Sequence, residues 1–353
     1  MESLALDQTV REQFATETTY LNTASTGVLP RAAADAVRDA VAEFCAGRPY
    51  LREGFGAVQE ARETFARLVG VGTERVAAGA SVAVYAGLLA TSLPPGAEVV
   101  VADNDFSSLV NPFAMRSDLK LRSVPLTEVA DAVRPGTDLV AVSAVQSADG
   151  RIADLAAIRD AARTHGARTL IDASQATGWL PLRADDYDFL VTVGYKWLMT
   201  PRGAAFLVTP EDHSSVTPVF AGWVAGEEPY DSCYGTVAQL AHSARRFDES
   251  PALLAYNAAR HSLALIERLG PERIGAHNTA LADRFRAGLA ALGHEPIAAP
   301  GSAIVAVPGL GHRAERLGDA DVILSNRAGN LRAAFHLYNT EADVDRALSV
   351  LAN

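Results

Sequence analysis

The chain has 353 residues, with 31 lysines and arginines against 42 aspartates and glutamates, so its formal net charge is −11. This acidic balance, with no basic block, argues against a nucleic acid or an anionic membrane held by general electrostatics. A hydrophobic fraction of 49% and a charged fraction of 21% are typical of a folded globular protein and exclude disorder as the main state. The only lysines are Lys120 and Lys196, so any chemistry that needs a lysine amine must use one of them.

The remaining composition narrows the class of protein further. Cys45 and Cys233 cannot build a disulfide framework, and we expect both to be small buried hydrophobes in a reducing, cytoplasmic setting. The first residues lack the pattern of a signal peptide, and the apolar runs are too short to span a membrane. The histidines form no tight cluster, so we expect no dedicated metal site.

In chain order, helical and strand-like segments alternate from about residue 30 onward. Apolar residues at helical spacing predict helices after Pro30, over about 55–68, over 82–93 and over about 155–164. Between them lie short β-rich runs, at 75–78, 98–101, 138–142, 169–171 and 189–193. Near-continuous apolar strands that alternate with helices predict an α/β fold, with a parallel sheet covered on both faces.

The last hundred residues differ in pattern. Two long helices are predicted first, then short strands and a final helix, over about 251–269, 272–292, 303–307, 330–334 and 341–351. We therefore predict a large domain over 18–248 and a smaller α+β domain over 249–353. Residues 1–17 are expected to pack on the smaller domain.

Polar residues follow several of the predicted strands. Asp172 ends the strand over 169–171, and Lys196 follows the strand over 189–193. Ligands of open parallel sheets bind beyond the carboxyl ends of the strands, so this carboxylate and this amine are candidates for chemistry. A structural ion pair is the alternative reading of the same two residues.

Two further features lie at the same edge. Gly79-Ala80-Ser81 opens an apolar helix, whose free backbone N–H groups and serine hydroxyl could hold a phosphate. Taken alone this signal is weak, because a serine at a helix start is more often only its N-cap. Phe106 follows the strand over 98–101 and could cover a flat ring. An amine, a carboxylate, a phosphate cradle and an aromatic face are together what pyridoxal phosphate requires.

On these residues the sequence resembles the class V aminotransferases, which are fold-type I pyridoxal phosphate enzymes. The cysteine desulfurases, kynureninases and isopenicillin N epimerase-like proteins belong to this group. The likeness runs from Tyr20 to Asn339 and is most specific in Asp172-Ala173-Ser174-Gln175, Tyr195-Lys196-Trp197 and Pro201-Arg202-Gly203. It implies a mostly parallel seven-stranded sheet between helices, and a homodimer with its active sites at the interface.

The resemblance also implies a role for each matching residue. Lys196 would form the Schiff base and move the substrate Cα proton, while Asp172 would pair with the pyridine nitrogen. Arg332 would bind the α-carboxylate of an amino acid substrate, with Asn22 nearby. The other residues implied to bind the cofactor are Ala80, Ser81, Val82, Phe106, Ser147, Ser174, Gln175, Tyr195 and Ser250. Among them, Gln175 would reach the phenolate oxygen, and Ser250 the phosphate of the partner subunit.

The sequence departs from the family pattern at some positions. Tyr195 precedes the lysine where many members have histidine, and Glu249-Ser250-Pro251 replaces a Gly-Thr-Pro segment. The chain has no cysteine after Cys233, where desulfurases carry their catalytic thiol, which disfavours desulfurization through a persulfide. Transamination is therefore the leading prediction, with lyase chemistry (C–S or C–C cleavage) and epimerization as alternatives.

Two functions from other classes are alternatives. A serine hydrolase would use Ser81, in a near G-x-S-x-G pattern, with His336 as the base. A catalytically inactive fold used only for binding is the other, and the presence of Lys196 and Asp172 argues against it. The substrate is not named by the sequence, because several polar or aromatic residues could face the pocket: Asp149, Trp223, Arg245, Arg327 and His336.

Overall fold

The structure, a computed structural model, describes residues 8–48 and 50–352. The N-terminal half alternates helices and strands: α1 (Gln8–Gln13), β1 (Thr19–Tyr20), α2 (Arg31–Cys45), α3 (Leu51–Val69), β2 (Val76–Gly79), α4 (Val82–Ser92), β3 (Glu98–Ala102), α5 (Ser107–Ala114), β4 (Lys120–Val124), α6 (Val129–Ala132), β5 (Thr137–Ser143), α7 (Leu155–His165) and β6 (Arg168–Asp172). The remainder is β7 (Phe189–Val193), β8 (Ala205–Val208), α8 (Leu253–Leu269), α9 (Pro271–Ala291), β9 (Ile304–Val307), α10 (Arg313–Asp319), β10 (Val322–Ile323), β11 (Ser325–Arg327), β12 (Asn330–Ala334) and α11 (Glu341–Ala352).

Seven strands form the central sheet, in the order β2-β8-β7-β6-β5-β3-β4. All neighbouring pairs are parallel except the two that involve β8. Because the other strands run in one direction, their carboxyl ends meet at one edge of the sheet, and Ser143 of β5 lies beside Asp172 of β6. The prediction of a mostly parallel, seven-stranded sheet is confirmed.

The sheet is buried on both faces, as the apolar strands predict. Alternate residues of one strand point to opposite faces: Val100 joins the core under α3, α7 and α8, and Val99 and Val101 join the core under α4 and α5. Gly70, in the left-handed conformation, ends α3. At the start of α4, the Ser81 side chain accepts a hydrogen bond from Val84 N.

A second, smaller sheet lies near the C-terminus. Strands β11, β12 and β9 are antiparallel, and α9 and α11 cover their core. The N-terminal segment joins this region, because β1 pairs with β10 and Ala334 N donates to Leu21 O. Helix α8 packs on α2 and α3. The smaller C-terminal sheet is confirmed, while the domain boundaries at 18–248 and 249–353 stay predictions. Residues 1–7 of the segment expected to pack here lie outside the described residues.

Two further findings concern possible partners. None of the helices in the described ranges combines the length and the hydropathy needed to cross a membrane. Within residues 8–48 and 50–352, no group of three or more His, Cys, Asp or Glu side chains is placed to hold a metal ion.

Candidate active site

A cavity of about 500 Å³ lies at the carboxyl edge of the central sheet. This volume is within the range of small-molecule sites. The structure brings most of the predicted cofactor residues together in its lining: Ala80, Ser81, Val82, Phe106, Asp172, Ser174, Tyr195 and Lys196. Their loops follow β2, β3, β6 and β7, so the parallel strand order gathers residues that are far apart in the sequence.

Lys196 lies in a tight turn after β7 that is held from several sides. Thr200 N donates to Gly194 O at 3.0 Å, and Trp197 Nε1 donates to Gln175 Oε1 at 2.6 Å. The N-terminal segment crosses this turn at Gly27, where a Cβ atom would lie 2.1 Å from the Lys196 carbonyl oxygen. Glycine is therefore required at position 27 for this close approach. The packing fixes the backbone from which the amine projects.

The Lys196 amine is buried in the wall of the cavity. Burial lowers its pKa to about 8; the nearby charge of Asp172 opposes this shift, and those of Arg332, Arg202 and Arg327 add to it. At pH 7, one unit below that value, about a tenth of the amine is unprotonated, far more than for an exposed lysine. A neutral amine is the form that attacks an aldehyde.

Asp172 is a buried carboxylate in the same cavity lining, and its charge acts on this amine. Burial raises its pKa, and the positive charge of Lys196 opposes that shift. Its Oδ1 accepts a hydrogen bond from Ser174 N at 2.9 Å, and Ser174 Oγ in turn accepts from Val193 N at 3.2 Å. A buried carboxylate whose pKa is raised is suited to share a proton with a basic ring nitrogen.

At the start of α4, where the sequence predicts a phosphate site, a carboxylate of this chain accepts one of the backbone N–H groups. Ser81 caps the helix, and the Ala80 N–H donates to Glu249 Oε1 at 2.7 Å. The adjoining Asp248 accepts from Ala78 N at 2.8 Å and forms a buried ion pair with Arg62. The segment that replaces the family's Gly-Thr-Pro thus runs alongside the cradle.

Phe106 presents its ring to the cavity. The centre of the ring lies 5.0 Å from Lys196 Nζ, and the residue is 40% exposed. Arg202, which also lines the cavity, has its Cζ over the Tyr195 ring, 4.0 Å from the ring centre. An exposed aromatic face in a cavity is unusual for a core residue and is suited to cover a flat ligand.

Arg332 is a buried guanidinium held by neutral groups. Its N–H groups donate to Ser325 Oγ at 3.2 Å, to Ser25 Oγ at 2.7 Å and to the carbonyl oxygen of Ser147. Burial, and then the charge of Arg327, lower its pKa to about 9, so it stays protonated at neutral pH. Among the described residues, no carboxylate lies within ion-pair distance of it. A buried cation without an acidic partner is suited to bind an anionic ligand.

The other predicted residues lie outside the cavity lining. Gln175 donates to Ala24 O at 3.0 Å and accepts from Trp197, so both ends of its amide are engaged. The Ser147 carbonyl holds Arg332, and Ser250 is exposed. Asn22 pairs with Ala334 in an isolated bridge, and its buried Oδ1 has no hydrogen-bond partner within the described part of the chain. Their predicted roles stay predictions.

The profile of the family described as Aminotransferase class-V matches residues 19–317. The chain belongs to the aminotransferase class-V family. This confirms the family prediction and, with it, the expectation of a pyridoxal phosphate-dependent enzyme with aminotransferase or lyase activity.

Individual relatives agree with this class V membership. The chain is 27% identical to the uncharacterized aminotransferase YcbU of Bacillus subtilis, over 85% of each chain. It is 29% identical to the isopenicillin N epimerase of Streptomyces clavuligerus, over 94% of this chain and 93% of the epimerase. Among solved structures, the cystine C-S lyase C-DES superposes with a TM-score of 0.86 at 22% identity, over 96% of this chain and 98% of the lyase. A variant of that lyase carries glycine covalently linked to its pyridoxal phosphate.

One sequence prediction about this class V protein is wrong. Cys45 and Cys233 were expected to be buried, but both are exposed. Cys45 is the last residue of the surface helix α2, and Cys233 follows a short turn in an exposed loop, so neither is covered by a second layer. Composition alone does not show which face of an element a small apolar residue occupies.

The serine hydrolase alternative loses its base in the structure. His336 is fully buried, with Nε2 at 2.9 Å from the Trp197 carbonyl oxygen and Nδ1 at 3.4 Å from Asn278. Burial lowers its pKa to about 3, so it stays neutral. His336 therefore supports the Lys196 turn and does not activate Ser81.

The structure also adds residues that the motifs did not single out. Asp105 accepts from Ser143 N at 2.8 Å and raises the pKa of Asp172. Ser108 lines the cavity, as does Arg202, which belongs to the Pro201-Arg202-Gly203 motif but was given no role there. Asp105 and Ser108 lie in the loop and first turn after β3, so the strand-end rule that pointed to Phe106 could have found them.

Proposed function

We propose that this chain is a pyridoxal phosphate-dependent aminotransferase acting on an α-amino acid. The observation that carries this proposal is the meeting of one amine, Lys196, and one buried carboxylate, Asp172, in a cavity that also contains the start of α4. Each group taken alone has a structural explanation. Together they match the separate needs of one cofactor.

The residues present fit pyridoxal phosphate. The N–H groups and the hydroxyl at Ala80, Ser81 and Val82 would hold its phosphate, and the Phe106 ring would cover its face. Asp172 would face the ring nitrogen, and Lys196 would hold the aldehyde carbon covalently. When bound, the cofactor supplies an electron sink for the electron pair left on the substrate Cα.

The two titrating groups have complementary tasks. Lys196 Nζ, with its pKa lowered to about 8, would accept the proton of the substrate Cα and then donate it to the atom that carries it in the product. Asp172, buried and with its pKa raised, would hold a proton on the ring nitrogen of bound pyridoxal phosphate. The Trp197 and Gly27 contacts hold the lysine backbone still while Nζ moves between the two proton positions.

Arg332 would orient the substrate. Three neutral oxygens hold its guanidinium without neutralising its charge, so it can bind an α-carboxylate. Asn22 forms an isolated bridge with Ala334 at the end of β12, and its buried Oδ1, without a partner among the described residues, could accept a hydrogen bond from the substrate amine. Binding the carboxylate fixes which bond of Cα faces the amine.

A persulfide mechanism has no thiol to use. The two cysteines of the sequence, Cys45 and Cys233, are exposed, and neither lines the cavity. Desulfurization by a catalytic cysteine is therefore not the proposed reaction. Elimination without a protein thiol shares the first proton transfer with transamination and is the alternative that the test must separate.

The test of the function is a reaction with and without an acceptor. The holoenzyme is incubated with a panel of amino acids, in the presence or absence of an acceptor keto acid, and the products are quantified. We expect a new amino acid to form from the acceptor, with little free ammonia or sulfide. Ammonia, sulfide or a cleaved carbon skeleton without an acceptor would indicate a lyase, and inversion alone an epimerase.

Removing the charge of Glu249 is expected to tighten cofactor binding. Its carboxylate occupies the Ala80 N–H and would repel the phosphate dianion, so Glu249→Gln should lower the Kd for pyridoxal phosphate about tenfold. The measurement is a fluorescence titration of the apoenzyme. Glu295→Gln, an equal charge change at an exposed position, is the control. Unchanged or weaker binding in Glu249→Gln would mean that the carboxylate does not compete with the phosphate.

The expected homodimer and cytoplasmic location belong to the proposal as well. Exposed apolar side chains are concentrated over residues 219–234, among them Phe220, Tyr230 and Tyr234, in the segment that leads to Ser250. Such a patch favours an interface between two copies, which would bring Ser250 toward the partner's phosphate. Light scattering of the purified protein tests the dimer, and a monomer with full activity would contradict it.

A further inference from the structure

Three arginines lie close enough to Lys196 for their charges to act on its amine, although the whole chain carries a net charge of −11. Arg332, Arg202 and Arg327 each oppose the protonation of that lysine, which shows that their charges are close to it. Among residues 8–48 and 50–352, no carboxylate lies within ion-pair distance of any of the three. The surroundings of the amine thus carry more positive charge than one α-carboxylate requires.

The hairpin of β11 and β12 explains why two of these arginines lie together. Ser325 is directly opposite Arg332, and Arg327 follows Ser325 by two residues on the same strand. Because side chains of a strand alternate between faces, Arg327 shares the face of Ser325, toward which Arg332 donates. The sheet register therefore places both guanidinium groups on one side of the hairpin.

Both guanidinium groups converge on one hydroxyl of the N-terminal segment. Ser25 Oγ accepts from Arg332 Nη2 at 2.7 Å and from Arg327 Nη2 at 3.0 Å. The two nitrogens are thus at most 5.7 Å apart, the sum of these distances. A neutral hydroxyl does not offset two like charges, and an anion beside them would.

Arg332 and Arg327 differ in burial and in the number of hydrogen bonds that hold them. Arg332 is buried and makes three hydrogen bonds, which fixes it for one carboxylate position. Arg327 is exposed, near the end of its strand, and bonds only Ser25 among the described residues. Of the five residues that could have faced the pocket, the others are engaged elsewhere: Asp149 with Arg151, His336 with Trp197, Arg245 with backbone carbonyls, and Trp223 with Phe55.

We propose that Arg327 binds a second carboxylate of the substrate, so that the preferred substrates are amino acids with an acidic side chain. The proposal deepens the proposed function and rests on it. Arg332 binds the α-carboxylate and Arg327 binds the side-chain carboxylate. The Ser25 hydroxyl lies between the two guanidinium groups and accepts a hydrogen bond from each. A substrate with an uncharged side chain would leave Arg327 solvated and would gain no binding free energy from its charge.

The test compares ligands that differ by one carboxylate. Glutarate and butyrate, neither of which has an amino group to react, are titrated calorimetrically into the holoenzyme of the wild type and of Arg327→Gln. We expect the wild type to bind glutarate more tightly than butyrate. Arg327→Gln should raise the Kd for glutarate about tenfold and leave the Kd for butyrate unchanged. Arg316→Gln, an exposed arginine of α10 in the same part of the chain, is the matched control.

Kinetics give the second readout. The kcat/KM of the wild type should be higher for glutamate than for glutamine. Arg327→Gln should lose that preference because its KM for glutamate rises. Equal weakening of glutarate and butyrate would mean that both arginines share one carboxylate, and no effect on either would mean a solvated arginine; both results overturn the proposal. Glutarate binding without turnover of any amino acid would instead contradict the proposed function.

Discussion

Replacing Lys196 by alanine is expected to reduce turnover at least about 10³-fold, because one amine both holds the cofactor and moves the Cα proton. Proton transfer by a positioned side chain alone contributes about 10²–10⁴-fold. The Lys196 amine is buried in the cavity wall with its pKa lowered to about 8, and no second lysine lines the cavity. The measurements are kcat/KM with the substrate found in the panel, and the visible absorbance of the covalently held cofactor.

The chain offers a matched control for this variant in its other lysine. Lys120 is exposed at the start of β4, so Lys120→Ala should keep activity and colour. Borohydride reduction of the wild-type holoenzyme, followed by peptide mass spectrometry, should find the cofactor on the peptide that contains Lys196. Cofactor attached to Lys120, or full turnover in Lys196→Ala, would contradict the assignment.

Replacing Asp172 by asparagine is expected to lower kcat about 10²–10³-fold while the protein stays folded. Asparagine keeps the size of the side chain but cannot hold a proton on the ring nitrogen by charge. Because the charge of Asp172 raises the pKa of Lys196, its removal should also move that pKa below 8. The second effect is measured in the apoenzyme, as the pH dependence of the rate at which Lys196 reacts with pyridoxal.

The direction of this pH effect follows from the charges. The rate rises as the amine loses its proton, so the midpoint lies near pH 8 in the wild type and at lower pH in Asp172→Asn. Asp103→Asn, an exposed carboxylate in the loop after β3, should leave both the midpoint and kcat unchanged. A midpoint that moves upward, or an unchanged kcat in Asp172→Asn, would mean that the carboxylate does not act on these groups.

Much of the fold could be predicted from local patterns. The helix after Pro30 is Arg31–Cys45 in the structure, and the β-rich runs over 98–101 and 189–193 are Glu98–Ala102 and Phe189–Val193. These segments are predictable because their periodicity is written in consecutive residues. The antiparallel direction of β8 was not predicted, since strand order depends on contacts between distant segments.

For the candidate site, local patterns likewise predicted which residues lie at the strand ends. Asp172 is the last residue of a strand, and Lys196, Ser81 and Phe106 each follow one; the carboxyl ends of parallel strands meet at one edge. The role predicted for Gln175, a hydrogen bond to the phenolate oxygen, stays a prediction; in the structure its amide is bonded to Ala24 and Trp197. Which way a buried polar side chain turns depends on the partners that packing supplies, and the spacing of a motif does not contain them.

The sequence by itself determined the type of chemistry, because only one of its two lysines, Lys196, follows a buried strand and is preceded by a carboxylate at the end of the previous one. The tertiary structure decided what surrounds that amine. It placed the Glu249 carboxylate on the Ala80 amide and brought Arg327 and Arg332 to the hydroxyl of Ser25, about three hundred residues away in the sequence. The physical reason is range: strand and helix patterns arise between near neighbours, whereas charge balance in a cavity depends on which distant segments fold together.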